Sequence, residues 1–275
     1  MEVKSKDLFP AVFSRHAAAY QRRLDEIMAR GEARGRQRVL ELLDAKPGMR
    51  VLDLACGPGT LSKPLAMRVA PGGEVVGVDL APGMIELARA RGILHARFEV
   101  MDIERLSFPD ASFDAAACGH GLQFVPDLTL ALREAHRVLV PGSKFAASVP
   151  VQGGTHRPWD ALDEVVNRWL PPAPVAVDQS ATRAIVNDEA TFRDAVLGAG
   201  FSSAEVQLVE EKVVWQSAEH LVDRCMSWWD LASRVDALPA GRRQAFVDDA
   251  VASVRRDHPG RIETFGRNHV VLAIA

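Results

Sequence analysis

The chain has 275 residues, with 33 basic and 36 acidic side chains and a formal charge of −3. Hydrophobic residues make up 48% and charged residues 25%, an ordinary globular balance that excludes disordered and collagen-like chains. Near-neutral charge speaks against a nucleic-acid binder, and no apolar run approaches the ~20 residues of a membrane helix. Three scattered cysteines, Cys56, Cys118 and Cys225, give neither a disulfide framework nor metal-ligand spacing. Charges alternate from Met1 to Asp7 with no apolar signal segment, so a cytoplasmic setting is expected.

The first 38 residues read as helix, with Phe13, Ala17, Tyr20, Leu24 and Ile27 forming one apolar stripe. A short helix at 39–43 stops at Lys46-Pro47-Gly48. Residues 51–55 are an apolar run that suits a parallel strand covered on both faces, ending in Gly57-Pro58-Gly59. A helix at 61–69 and a strand at 74–80 follow. The next helix has Pro82 in its first turn and Gly92 past its end. Strands are expected at 97–101, 113–118 and 144–149, with a helix at 126–139 before the last of them. This βαβα alternation predicts an α/β fold with a doubly wound parallel sheet. Beyond Pro150 the alternation breaks. A helix at 159–170 leads to the loop at 171–174, and Asp188 caps a helix that runs to Ala199. A strand at 205–215 and a closing strand at 269–275 bracket about fifty residues of helical pattern.

The glycine turn between strand and helix lets a ligand approach the backbone, and the helix start offers free N–H groups. Asp79 ends the next strand, where a carboxylate can accept both hydroxyls of a ribose. Together they point to an adenosine-containing ligand. A dinucleotide fingerprint wants a third glycine, and Ser62 stands there. Asp53 would repel a pyrophosphate and attract an ammonium group. The sequence therefore prefers the sulfonium cofactor S-adenosylmethionine over a nicotinamide dinucleotide.

The ordered segments VLDLACGPGT, VVGVDLAPGMIELAR, VMDIERLSFPDASFDAA, GLQFVPD and ALREAHRVLVPGS span roughly 35–150. In them the chain resembles the class I S-adenosylmethionine-dependent methyltransferases. It is most similar to the small-molecule branch of ubiquinone- and menaquinone-type C-methyltransferases and natural-product tailoring enzymes. The resemblance implies a Rossmann-like, doubly wound, seven-stranded sheet with an antiparallel last strand and helical cap or lid insertions. The implied divisions are an N-terminal lid helix (1–34), a cofactor core (35–150), a helical cap (151–203) and C-terminal strands (204–275) with a second helical insertion at 217–262.

For the cofactor it implies Gly57 and Gly59 under the methionine and ribose, Asp53 on the methionine ammonium, and Asp79 on the ribose. Leu80 would pack on adenine. Asp102 would accept from the adenine amino group beside the backbone N–H of Ile103. Cys118 and Gly119 would present backbone to the methionine end, and Tyr20 would help close the site. Asp53 can also serve loop amides, a lesser alternative, and Tyr20 can equally be core.

His120 and His156 lie after the fourth and fifth strands, where a base could take a proton from a phenol, enol or carbon acid. Gln123, Trp228 and Trp229 are candidates for the acceptor. No metal is implied. Partners are expected to be a small-molecule acceptor, without nucleic acid or a membrane span, on a monomer or homodimer. Rival readings are a cyclase or other non-methylating enzyme on the same scaffold, and a binding protein without catalysis.

Overall fold

In a computed structural model, residues 2–151 and 157–275 are described. The N-terminal part comprises β1 (Glu2–Val3), α1 (Ser5–Arg15), α2 (Ala17–Ala29) and α3 (Arg34–Leu43). The alternating core follows as β2 (Arg50–Leu54), α4 (Ser62–Val69), β3 (Glu74–Asp79), α5 (Pro82–Ala90), β4 (Ala96–Val100), β5 (Phe113–Gly119), α6 (Leu128–Arg137) and β6 (Leu139–Pro150). Then come α7 (Arg157–Trp169), β7 (Val175–Ala176), α8 (Ser180–Asn187), α9 (Glu189–Gly198), β8 (Ser203–Trp215), α10 (Ala218–Cys225), α11 (Trp229–Asp236), α12 (Ala240–Asp257) and β9 (Ile262–Ile274).

Among the described residues seven strands form one sheet in the order β4-β3-β2-β5-β6-β9-β8, and β9 alone runs against its neighbours. The expected doubly wound sheet with an antiparallel last strand is therefore present. Val51, Leu52 and Leu54 of β2 are buried because helices cover both faces. The chain winds outward from β2 through β3 to β4, then crosses back to β5. Ligands bind at such a reversal, beyond the carboxyl ends of the strands. No helix among the described residues is long and apolar enough to cross a membrane.

Each sheet face has its own core. Leu54, Val78, Phe113, Leu132 and Phe192 pack on one side, and Val39, Leu43, Val51, Leu65 and Val69 on the other. A separate core joins α2, α7, α10, α11 and α12 to the far ends of β8 and β9, with Leu24, Val165, Trp215, Leu221 and Phe246 inside. Asp127, Asp188 and Ser217 cap α6, α9 and α10 by accepting from backbone amides three residues on.

Several boundaries differ from the sequence reading. The N-terminal helix breaks at His16, whose φ of −104° leaves the helical range. The turn at Pro141-Gly142 does not precede a strand but sits inside β6, as an irregularity in its pairing with β5. Strand β9 starts at Ile262 rather than 269, because Ile262 and Thr264 alternate inward against β8. Helix α8 was not anticipated beyond the proline-rich loop. Replacing Phe246 by Ala is expected to cost about 3–5 kcal/mol, read as a lowered denaturation midpoint. A loss below about 1 kcal/mol would mean that the cap core collapses around the gap.

Candidate active site

At the switch point the backbone is bent into unusual conformations. Ala55, Gly57, Gly59 and His120 all have positive φ, at 52°, 55°, 80° and 63°. For Ala55 and His120 this is strained, and strain of this kind gathers at functional sites. The loops after β2 and β5 approach so closely that a Cβ on Gly121 would lie 2.4 Å from that of Ala55. A glycine is required there for the cleft to form.

Asp79 organises the glycine loop. Its carboxylate accepts from the amide of Gly57 at 2.9 Å and from that of Ala81 at 2.8 Å. Gly57 presents its bare Cα to Tyr20, whose ring would lie 4.0 Å from an added Cβ. Gly59 is placed elsewhere than expected. It does not line the cleft, and its missing side chain admits Ile93 and Phe98 behind the loop.

Nine of the expected positions line one cleft of about 920 Å³: Tyr20, Asp53, Gly57, Asp79, Leu80, Asp102, Ile103, Gly119 and His120. Cys118 lies beneath it, and burial pushes its thiol up to about 12. At one end, Asp102 accepts from Lys6 of α1 at 2.6 Å and from the amide of Glu104 at 3.0 Å. Glu104 also binds Lys6, so the first helix is strapped across this end. At the other end Asp53 is 1% exposed. One carboxylate oxygen accepts from the Ser62 hydroxyl at 2.5 Å, and the other has no partner. Burial, with a smaller contribution from nearby Asp79, raises Asp53 to about 7. Burial also raises Asp79, against its two amide donors.

A second cavity, of about 1690 Å³, adjoins the first. Gln123, Trp228 and Trp229 line it, and Phe13, Tyr20, Leu24, Arg36, His120 and Phe124 are common to both. Gln123 also has a local task, since its amide donates to the carbonyl of His120 at 2.9 Å. Among the described residues, the His120 ring nitrogen Nε2 is buried without a partner. Burial, then the charges of Arg36 and Arg23, hold His120 well below its ordinary value, so it is neutral at neutral pH. His156 lies outside the described residues.

The sequence reading overlooked Arg36, which lines both cavities, is 6% exposed and donates to the Tyr20 hydroxyl at 3.3 Å. In sequence it stands in the polar run Arg34-Gly35-Arg36-Gln37-Arg38 and looks like a solvated helix face. What could have revealed it is Gly35, where an added Cβ would clash with Asn268 and which lets α3 press on β9.

Ionising Asp53 is harder in the folded chain than in the unfolded one, so stability is lost as pH rises from about 4 to about 7. Asp53→Asn is expected to escape this loss. In denaturant titrations of the ligand-free protein, its advantage over wild type should grow across that interval. A pH-independent difference would mean that Asp53 ionises as it does in water.

Comparisons with known proteins give the family. A family described as a methyltransferase domain matches residues 51–142. The 2-phytyl-1,4-naphtoquinone methyltransferase of Synechococcus elongatus is 34% identical over 191 residues, covering 66% of this chain and 80% of that protein. The demethylmenaquinone methyltransferase of Thermus thermophilus is 42% identical over 139 residues, covering 49% of this chain and 62% of that protein. A solved structure of Haemonchus contortus phosphoethanolamine N-methyltransferase 2 in complex with S-adenosyl-L-methionine aligns with a TM-score of 0.58 at 17% identity, over 99% of this chain and 60% of that chain. At that identity the likeness shows the fold alone. With the first of these relatives covered over most of its length, the chain belongs to the class I S-adenosylmethionine-dependent methyltransferases, in their quinone-type branch.

Proposed function

We propose that this methyltransferase alkylates carbon or oxygen of a small, flat, fairly apolar acceptor of the quinol type, held in the second cavity. The observation that carries the reading is the shared wall: Phe13, Tyr20, Leu24, Arg36, His120 and Phe124 face both cavities, so a group crossing between them passes these six side chains. The acceptors named for the curated relatives are naphthoquinones and demethylmenaquinone, which suit a tryptophan-lined space.

The residues of the cleft fit S-adenosylmethionine on their own chemistry. The methionine end is a zwitterion and needs an acceptor and a cation. Asp53 has a free buried oxygen for the ammonium, and Arg36 faces the same cleft for the carboxylate. Thr60 adds a buried hydroxyl without a partner. Asp79 keeps lone pairs for the ribose, Leu80 offers apolar surface to adenine, and Asp102 with the Ile103 backbone reads its edge. Lys6, now held by Asp102, would have to share that carboxylate with the adenine amino group.

When bound, the cofactor supplies a methyl group activated by a positive sulfur for in-line displacement. The chain's own part is mostly placement, which alone lowers such barriers greatly. Helices α1 and α2 roof the cleft and exclude water. His120, neutral and with a partnerless Nε2, takes the proton of an acceptor hydroxyl. Residues 1–34, 151–203 and 217–262 act as lid and cap over the core of 35–150 and the late strands. The reading places the enzyme in the cytoplasm, without a nucleic-acid partner. Its near-neutral charge and its three free, buried cysteines accord with that.

Asp79→Asn and Asp79→Ala are expected to weaken calorimetric binding of S-adenosylmethionine at least about tenfold, because a charged acceptor of two hydroxyls is lost. Unchanged affinity in a folded variant would overturn the ribose assignment. With a naphthoquinol as acceptor, S-adenosylhomocysteine should appear in step with methylated product. Product without it would favour a cyclase over methyl transfer.

A further inference from the structure

The second cavity holds charge that methyl transfer as described does not use. Arg23 on α2 and Arg183 on α8 line it, and neither lines the cofactor cleft. Neither forms a salt bridge among the described residues. Arg23 lies 5.4 Å from the ring centre of Tyr20 and 5.7 Å from that of Trp228. Arg183 lies 5.6 Å from the ring centre of Trp229. The Arg23 Nε is buried without a hydrogen-bond partner among the described residues.

The facing carboxylates do not resolve this. Glu211 and Asp230 line the cavity and each favours the charge of one arginine, but neither reaches pairing distance. Arg36 adds a third cation, and the other titratable groups nearby are Tyr20, the buried Cys225 thiol and His120, the last held neutral. Burial disfavours the charged form of both Arg23 and Arg183. A buried cation without a partner is unfavourable until a ligand supplies the anion. Planar guanidinium groups stacked on indoles also match flat, bidentate anions better than they match water.

Resting on the methyl-transfer reading above, we propose that the acceptor is a planar anion, an aromatic molecule whose phenolate or carboxylate oxygen pairs with Arg23, with Arg183 as the second cation of a shelf built on Trp228 and Trp229. Selection is then by charge as well as by shape. Molecules of the same size that cannot ionise are poor ligands, whereas a quinol that has given its proton to His120 or to solvent is a good one, its phenolate oxygen paired with Arg23.

The test uses the full chain saturated with S-adenosylhomocysteine and three probes: para-nitrophenolate, para-nitrobenzoate and neutral para-nitroanisole. At a pH where the first two are ionised, at least one should bind about tenfold or more tightly than the anisole, the gain expected of a charge-assisted hydrogen bond. Preference for the phenolate places the anion on the acceptor hydroxyl, and preference for the benzoate places it on a carboxylate. Arg23→Gln should abolish the preference while binding S-adenosylmethionine as wild type does, because Arg23 lies outside the cofactor cleft. Arg23→Lys should restore it in part. Equal affinity of all three probes, or a preference that survives in Arg23→Gln, would overturn the proposal. Failure of the wild-type protein to bind S-adenosylmethionine would instead overturn the cofactor reading beneath it, so the two failures are told apart.

Discussion

One carboxylate ties the cofactor half together. Asp79 receives the amide of Gly57 from the loop after β2 and the amide of Ala81 at the start of α5. These are the ends of neighbouring strand–helix units, so a single side chain sets the distance between them. The glycine loop, the opening of α5 and the floor of the cleft follow from that position. Burial opposes the charge and two amide donors support it. Such a group is held ready to accept more donors, which is what a ribose would bring.

The neighbourhood of Asp79 is divided by charge. Asp53, buried, and Asp79, partly buried, face the cleft as two acids, while Arg23 and Arg183 face the adjoining cavity as two cations without salt bridges among the described residues. Arg36 stands between the two groups, bound to the Tyr20 hydroxyl. Left to itself, neither side is electrostatically satisfied. Protein interiors tolerate such arrangements where ligands complete them. A cofactor bringing an ammonium to Asp53 and an acceptor bringing an anion to Arg23 would together neutralise both. The raised value of Asp53 and the depressed value of His120 thus share one origin, burial beside like charge.

The sequence made the sheet legible because parallel strands buried on both faces appear as apolar runs, as at Val51, Leu52 and Leu54. Asp53, Gly57 and Asp79 were readable because their spacing around the turn is local. Strand β9 was only half visible, since its first residues alternate inward through Thr264 and outward through Glu263 and Phe265. Arg23 and Arg36 were not readable at all. Their significance comes from burial by β8, β9 and the late helices, whose residues lie nearly two hundred positions away, and no helical pattern encodes that. Gly121 was noted as part of a glycine-rich segment, yet its reason, the approach of Ala55, is a contact between two loops.

The N-terminal helices couple the two cavities. Lys6 of α1 reaches Asp102 and Glu104 at the adenine end, and Phe9 and Phe13 pack on Phe124, which faces both spaces. Phe9 also meets Trp229 edge-on at 5.1 Å, so the same helix touches the acceptor wall. Gly83 of α5 admits the backbone of Ser14, where an added Cβ would lie 2.7 Å from the Ser14 carbonyl oxygen. Helix α1 is therefore seated on the cofactor half while its aromatic face builds the acceptor half. On the proposed assignment, a cofactor competing with Lys6 for Asp102 would alter the seating of that helix, and with it the wall of the second cavity. Binding in one cavity would then bear on the shape of the other through a single, locally held segment.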